Sequence, residues 1–259
     1  MPAAARHPAV SRGLRIARPF GIDLRVDPSW SVSLLILSAF AYEMIVPSVA
    51  PHAVTGARAA LAVVFALPIA ACIVVHELAH SLVARAWGVP VRGITLFAFG
   101  GVSQMDGEAP SAVSEYQIAV AGPLASVMIA GLMAGVARGI AADGHLSGPW
   151  GAIAVVNLYL ALFNLLPAFP MDGGRILRSL LWAGSCSRAR ATKVAALAGR
   201  GFAVLFIAVG AITFTLSTLS GDGGMGSGIW IALVGLFLYK AAQTSGRFEG
   251  GEHPNEEPR

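Results

Sequence analysis

Long apolar segments alternate with short polar ones along the chain of 259 residues. A membrane-spanning helix needs about 20 mostly apolar residues. The pattern predicts six such helices, at residues 30–49, 59–87, 116–140, 150–166, 201–219 and 229–242. The fourth and sixth segments are short, as expected for helices that are tilted or partly buried in the bundle. The sequence therefore predicts an all-α polytopic membrane protein.

The composition supports a bilayer environment. Hydrophobic residues make up 56% of the chain and charged residues only 12%, whereas about 25% of residues are charged in a typical soluble domain. The net charge of +4 comes from basic residues in short connections beside the apolar segments. We therefore expect the lipid bilayer as a partner and no binding of nucleic acid.

The distribution of lysine and arginine predicts the orientation, because short cytoplasmic connections carry an excess of both. The N-terminal segment, the connections after the second and fourth helices, and the tail are rich in them. The other three connections contain only Arg58 and Arg138. With six helices all the rich segments fall on one side. This predicts a multi-pass cell-membrane protein with a cytoplasmic segment at 1–28, a six-helix domain at 29–245 and a disordered cytoplasmic tail at 246–259.

The second apolar segment contains the motif His76-Glu77-Leu78-Ala79-His80. Residues four apart lie on one face of a helix, so His76 and His80 can present imidazole nitrogens to one metal ion. Glu77 lies next to that face, where it can act as the general base of a zinc peptidase. A glutamate inside a membrane helix costs about 2.5–3.5 kcal/mol if unpaired. The alternative interpretation is a satisfied polar cluster between helices.

Catalytic zinc takes three protein ligands and keeps one position open. Asp172 is the candidate for the third ligand. Pro167 and Pro170 stop the helix before it, and Gly173 and Gly174 after it permit a tight turn. The stretch is expected to bend the carboxylate into the bundle on unwound backbone, which membranes tolerate only inside protein or beside a wet cavity. The alternative is a cytoplasmic loop with a solvated aspartate, and this donor set also suits other divalent metals.

Two asparagines lie seven residues apart in the fourth segment, Asn157 and Asn164, and so share a helix face. Side-chain amides inside a membrane need hydrogen-bond partners. Asn164, next to the proline break, is predicted to hold a substrate strand or a developing oxyanion. Asn157 fits that role and contact between helices equally well.

Three motifs together resemble the site-2 protease family of intramembrane zinc metallopeptidases. The residues that carry the resemblance are His76-Glu77-Leu78-Ala79-His80, Ala121-Gly122-Pro123-Leu124-Ala125-Ser126 and Asn164-Leu-Leu-Pro-Ala-Phe-Pro-Met-Asp172-Gly-Gly-Arg175. The likeness extends over about residues 20–242. It implies one Zn²⁺ per chain bound by His76, His80 and Asp172, with Glu77 as the catalytic base.

The resemblance also implies a small membrane-embedded β-hairpin after the second helix. Residues 94–99 form an apolar run followed by Gly100 and Gly101, which suits a strand and turn. This hairpin would bind an unwound substrate by β-addition, with both glycines in the substrate-binding set. The implied substrate is a transmembrane helix of a membrane-anchored regulator such as an anti-sigma factor. The short tail and outer connections predict the compact family type, without CBS or PDZ domains.

Three other functions fit parts of the pattern. A transporter using buried ionisable groups as an ion path should have polar stations at several depths, whereas this chain concentrates them in one cluster. A catalytically silent zinc-binding scaffold would have no need of Glu77. A different membrane metallopeptidase would take its third ligand from a glutamate in a soluble domain.

Overall fold

The computed structural model describes residues 13–98, 100–140, 148–184, 187–220 and 225–248. Helices dominate the described part, with one small sheet. The helices are α1 (Trp30–Met44), α2 (Val46–Val49), α3 (Thr55–Ala86), α4 (Ala112–Ile140), α5 (Gly148–Asn164), α6 (Asp172–Ala183), α7 (Arg188–Ser220) and α8 (Met225–Phe248). The strands are β1 (Leu14–Ala17), β2 (Asp23–Val26), β3 (Val91–Phe97) and β4 (Gly100–Met105).

Each of the six apolar segments is helical, but the bounds differ from the predicted ones. The first segment divides into α1 and α2, where Pro47 occupies the first turn of α2. Helix α7 begins at Arg188, well before the predicted residue 201. Helix α8 continues to Phe248, three residues into the segment predicted as the tail, and the remainder of that segment lies outside the described residues. Helix α6 was not predicted, because its 12 residues are too few and too polar for an apolar search.

Within the described ranges, three helices are long and apolar enough to cross a membrane: α3, α4 and α7. Large apolar side chains on helix surfaces are widely exposed, as for Leu35 at 71%, Leu132 at 63% and Leu205 at 55%. Soluble monomers rarely expose apolar patches of this extent. The surface therefore suits contact with lipid.

The chain divides into two compact units, and the first contains the described residues of 1–110 and 121–161. Its sheet has the strand order β1-β2-β3-β4, with β2 and β3 parallel and the other two pairs antiparallel. Strands β1 and β2 lie in residues 1–28, for which the sequence predicts only a cytoplasmic segment. The glycine pair opens β4 rather than forming the expected turn, since Gly100 pairs with Phe97 and Gly101 with Leu96.

The sheet packs against the part of α3 that contains the His-Glu-x-x-His motif. Ile22, Ile94 and Leu96 are buried in this contact together with Leu24. They pack against Val74 and Leu78 of α3, on either side of His76. The same unit has a helical core built on Ala41, Ile45, Ile69 and Ile153. Helix α3 is thus fixed by apolar contacts on both the sheet and the helix side.

The second unit contains the described residues of 111–120 and 162–248. Helices α7 and α8 pack closely through glycines: a Cβ atom added at Gly210 would lie 2.5 Å from the Ala232 nitrogen, and one at Gly228 would lie 2.5 Å from the Phe214 nitrogen. Small residues of this kind let membrane helices approach at backbone distance. Ala195 and Ala196 of α7 also bury Phe169, in the segment before α6.

A buried ion pair joins the start of α4 to α6 within this unit. Glu115 is fully buried and Arg178 is 8% exposed. The Arg178 Nε atom donates a hydrogen bond to Glu115 Oε1 at 2.7 Å, and Nη2 contacts the same oxygen. The Arg178 guanidinium also lies over the Phe169 ring, 5.1 Å from its centre. The pair therefore holds both α6 and the segment that precedes Asp172.

We expect Glu115→Ala to lower the free energy of unfolding by about 3–5 kcal/mol, because it leaves the Arg178 charge buried without its acidic partner. Asp106→Ala is the matched control, since it removes the acid of the exposed pair Arg92–Asp106 and should cost less than about 1 kcal/mol. Reversible unfolding in mixed micelles measures both. Equal costs for the two variants would contradict a structural role for the buried pair.

Candidate metal centre

Helix α3 places two imidazoles close together, with one nitrogen of each near the other. His76 and His80 are each 3% exposed, and their Nε2 atoms lie 3.3 Å apart. Zinc binds histidine nitrogen at about 2.0–2.1 Å, so two nitrogens at a tetrahedral angle are about 3.3–3.4 Å apart. The observed separation fits two ligands of one zinc ion.

Ser126 of α4 fixes the orientation of one of these rings. Its Oγ atom lies 2.9 Å from Nδ1 of His76, and the serine is fully buried. When Nδ1 carries the ring proton and donates it to Ser126, the Nε2 lone pair is available to a metal. In the sequence, Ser126 stands out only as the last residue of a family motif. Its spacing of four residues from Gly122 is the signal that places both on one face of α4.

Gly122 leaves the space beside the imidazoles. A Cβ atom at this position would lie 2.2 Å from Nε2 of His80 and 2.6 Å from Nε2 of His76. Both distances are far below van der Waals contact, so the backbone of α4 approaches the two nitrogens as only glycine permits. The room that the missing side chain leaves is on the side of the rings where an ion would bind.

Glu77 is held by strand β4. Its Cγ atom lies over Gly101, where an added Cβ atom would come within 2.6 Å. Its Oε2 atom accepts a hydrogen bond from Ser103 Oγ at 3.0 Å. Gly101, predicted to bind substrate, thus also makes room for the predicted base. Gly100 has φ +127°, a conformation that favours glycine, and a side chain there would meet no atom within 4 Å.

In the second unit, Asp172 is the first residue of α6 and 9% exposed. The expectation of unwound backbone at Asp172 is wrong, because the break in helical structure ends at Met171. A helix N-terminus favours a negative charge, so this position favours the ionised carboxylate that a metal requires.

Gly173 and Gly174 are part of α6 and do not form the predicted turn. An added Cβ atom would lie 2.2 Å from the Leu166 carbonyl oxygen at Gly173, and 2.4 Å from the Phe169 nitrogen at Gly174. The glycines are therefore needed because the preceding segment folds back against the first turn of the helix. This close approach fixes where the helix that carries Asp172 begins.

The two asparagines have different surroundings. Asn157 is fully buried, its Nδ2 atom donates to the Ile153 carbonyl at 2.8 Å, and its amide lies beside the Cys72 thiol of α3. These contacts favour the helix-packing interpretation of Asn157. Asn164 is the half-buried last residue of α5, directly before the break.

The family model described as Peptidase family M50 matches residues 64–141 and 133–208, which is more than half of the chain and includes the histidine motif and Asp172. The chain belongs to peptidase family M50. This confirms the resemblance found in the sequence. A solved structure of the family's fold, the Site-2 Protease from Methanocaldococcus jannaschii, has 30% sequence identity and a TM-score of 0.59, covering 91% of this chain and 95% of that one.

Two similar proteins carry the name "Putative zinc metalloprotease". Rip3 of Mycobacterium tuberculosis is 37% identical over 239 residues, which cover 89% of this chain and 58% of the relative. The protein sll0528 of Synechocystis is 34% identical over 241 residues, covering 92% of this chain and 61% of the relative. The chain thus spans about three fifths of the length of these relatives. Their names agree with the donor set described above.

Proposed function

We propose that the protein is an intramembrane zinc metallopeptidase that hydrolyses a peptide bond within or near a transmembrane helix. The observation that carries the proposal is the pair of buried imidazoles, spaced for one ion, with the carboxylate of the adjacent Glu77 held by a strand. Membership in a peptidase family favours this function over an ion-coupled transporter. The hydrogen bond that holds the Glu77 carboxylate favours it over a zinc-binding scaffold without catalytic activity.

His76, His80 and Asp172 are proposed to bind one zinc ion per chain. Each of the three offers one atom of a kind that binds metal, either an imidazole nitrogen or a carboxylate oxygen. Two imidazoles and one carboxylate leave a fourth position for water or substrate, which is the arrangement of catalytic zinc. Ser126 orients His76, and the helix N-terminus favours the charged form of Asp172.

The residues of the chain have distinct roles in the proposed reaction. Zinc, when bound, acts as a Lewis acid on the scissile carbonyl and makes water more acidic. Glu77 accepts a proton from the attacking water and later delivers it to the leaving amine. Asn164, beside the break, is proposed to hold the substrate strand or the developing oxyanion.

We further propose that the substrate binds as an added strand along β4. This strand ends the order β1-β2-β3-β4, so one of its edges has no neighbour among the described strands. An unwound peptide can add to such an edge through main-chain hydrogen bonds, next to Gly100 and Gly101. The proposed substrate is a membrane-anchored regulator resembling an anti-sigma factor. The proposed setting is the cell membrane, with six spans, an embedded hairpin and both termini cytoplasmic.

The experiment that tests the proposal measures zinc and cleavage together. The protein is purified in detergent, its zinc is quantified, and its cleavage of a model transmembrane substrate is followed. We expect Asp172→Asn to lose bound zinc and cleavage, because a neutral amide is a much weaker zinc ligand than a carboxylate. A chelator should abolish cleavage by the wild type, and added zinc should restore it.

Asp106→Asn is the matched control, because it removes an acid from an exposed pair, and it should keep both zinc and activity. An Asp172→Asn protein that retained zinc and cleaved at the wild-type rate would refute the proposed ligand set. If the wild-type protein cleaved equally well after complete removal of metal, the proposed metallopeptidase activity would be refuted.

A further inference from the structure

We propose that Ser103 of β4 is a positioning residue for the catalytic base Glu77, an inference that rests on the proposed function. Ser103 Oγ lies 3.0 Å from Glu77 Oε2 and 3.1 Å from the Glu77 carbonyl oxygen. The serine therefore contacts both the side chain and the backbone of the base. None of the three sequence motifs includes it.

A second serine supports the first. Ser81, fully buried and one helical turn after Glu77, has its Oγ atom 3.1 Å from Ser103 Oγ and 2.9 Å from the Glu77 carbonyl oxygen. Each hydroxyl has one proton to donate. Ser81 can donate to Ser103 while Ser103 donates to the Glu77 carboxylate. Hydrogen bonds linked in this way strengthen one another, so the carboxylate is held by a short chain of donors.

The geometry of a β-strand explains how the short strand β4 can make two contacts with Glu77. Alternate residues of a strand point to the same face, so Gly101 and Ser103 face α3 together. Gly101 leaves room for the Cγ atom of Glu77, and Ser103 holds its carboxylate oxygen. The sequence Gly-x-Ser thus places a residue without a side chain beside the Cγ atom of Glu77 and a hydrogen-bond donor beside its carboxylate.

A glutamate side chain has three rotatable bonds, and a general base must be within hydrogen-bonding reach of the proton that it removes. Ser103 restricts Glu77 to the rotamer that the structure shows. Losing the hydrogen bond should therefore lower the fraction of productive complexes, and so kcat. It should leave KM nearly unchanged, because Ser103 acts through Glu77.

The test compares Ser103→Thr with Ser103→Val, two side chains of the same shape that differ by the hydroxyl and are both favoured in strands. We expect threonine to keep kcat within about threefold of the wild type, and valine to lower it about tenfold to a hundredfold, as for loss of a hydrogen bond to a charged group. Bound zinc and KM should match the wild type in both. Ser48→Ala, at an exposed serine of α2, is the control for loss of a hydroxyl elsewhere.

Glu77→Gln separates failure of this inference from failure of the proposed function. We expect Ser103→Val to cause no further loss in a Glu77→Gln background, because the serine acts only through the base. Equal kcat values for the threonine and valine variants, with Glu77→Gln nearly inactive, would overturn the role of Ser103 alone. A Glu77→Gln protein as active as the wild type would overturn the proposed base itself.

Discussion

Glu77→Gln is expected to lower the rate of substrate cleavage by about 10²–10⁴-fold, the contribution of a positioned general base. Glutamine has the shape of glutamate, still fits over Gly101 and can still bond to Ser103. It cannot take a proton from water or return it to the leaving amine. Because Glu77 is not among the proposed ligands, the zinc content should stay at the wild-type level. The variant would therefore separate metal binding from proton transfer.

The measurement combines single-turnover cleavage of a model transmembrane substrate with zinc analysis of the same sample. Glu43→Gln is the matched control, since Glu43 is an exposed glutamate of α1, and we expect it to cleave at the wild-type rate. Cleavage by Glu77→Gln at that rate would show that another group transfers the proton. Loss of zinc from Glu77→Gln would instead show that Glu77 is a ligand.

Gly122→Ala should remove both metal binding and activity, although it adds a single methyl group. The added carbon would lie 2.2 Å from Nε2 of His80 and 2.6 Å from Nε2 of His76. The imidazoles or the backbone of α4 must move, and either shift displaces ligand atoms. Loss of a residue that merely orients a ligand weakens metal binding about 10–100-fold. We expect Gly122→Ala, which displaces two ligands, to weaken zinc binding by at least that factor.

Gly131→Ala on the same helix is the matched control, because an added Cβ atom there meets nothing within 4 Å. It should keep wild-type zinc and activity, and alanine should stabilise the helix by about 0.5–1 kcal/mol. Competition against a chromogenic chelator gives the zinc affinity of both variants. Equal zinc affinity in Gly122→Ala and Gly131→Ala would show that the cavity beside the imidazoles is not the metal site.

The sequence predicted the helices whose signal is a continuous apolar run. Helices α3 and α4 begin only a few residues before their predicted starts. The range predicted for α7 was too short, because the first turns of this helix alternate polar and small residues before the apolar run begins. Helix α6 was missed for a related reason: it buries Asp172 and Arg178, and burial of charged residues cannot be recognised from hydropathy.

The site shows the same division between local and distant signals. The spacing of His76 and His80 is a local property of one helix, so the sequence sufficed to predict that their imidazoles lie side by side. The contacts that Ser126, Gly122 and Ser103 make with the site depend on how α4 and β4 pack against α3. A single sequence does not specify which residues of α4 and β4 come into contact with α3. The four-residue strands β1 and β2 were too short and too rich in arginine to be recognised as parts of a sheet.

The parallel pairing of β2 with β3 has a consequence for how the chain threads the bilayer. Asp23 to Val26 pair with Gly93 to Leu96, so both stretches must end at the same depth. Any part of the chain between β2 and β3 that crosses the lipid therefore has to cross back. Helices α1 and α3 lie between the two strands, so β2 can pair with β3 only after this stretch has folded back on itself. A protein shortened to begin at α1 would lack β2, so β3 would keep its pairing with β4 but have no strand along its other edge.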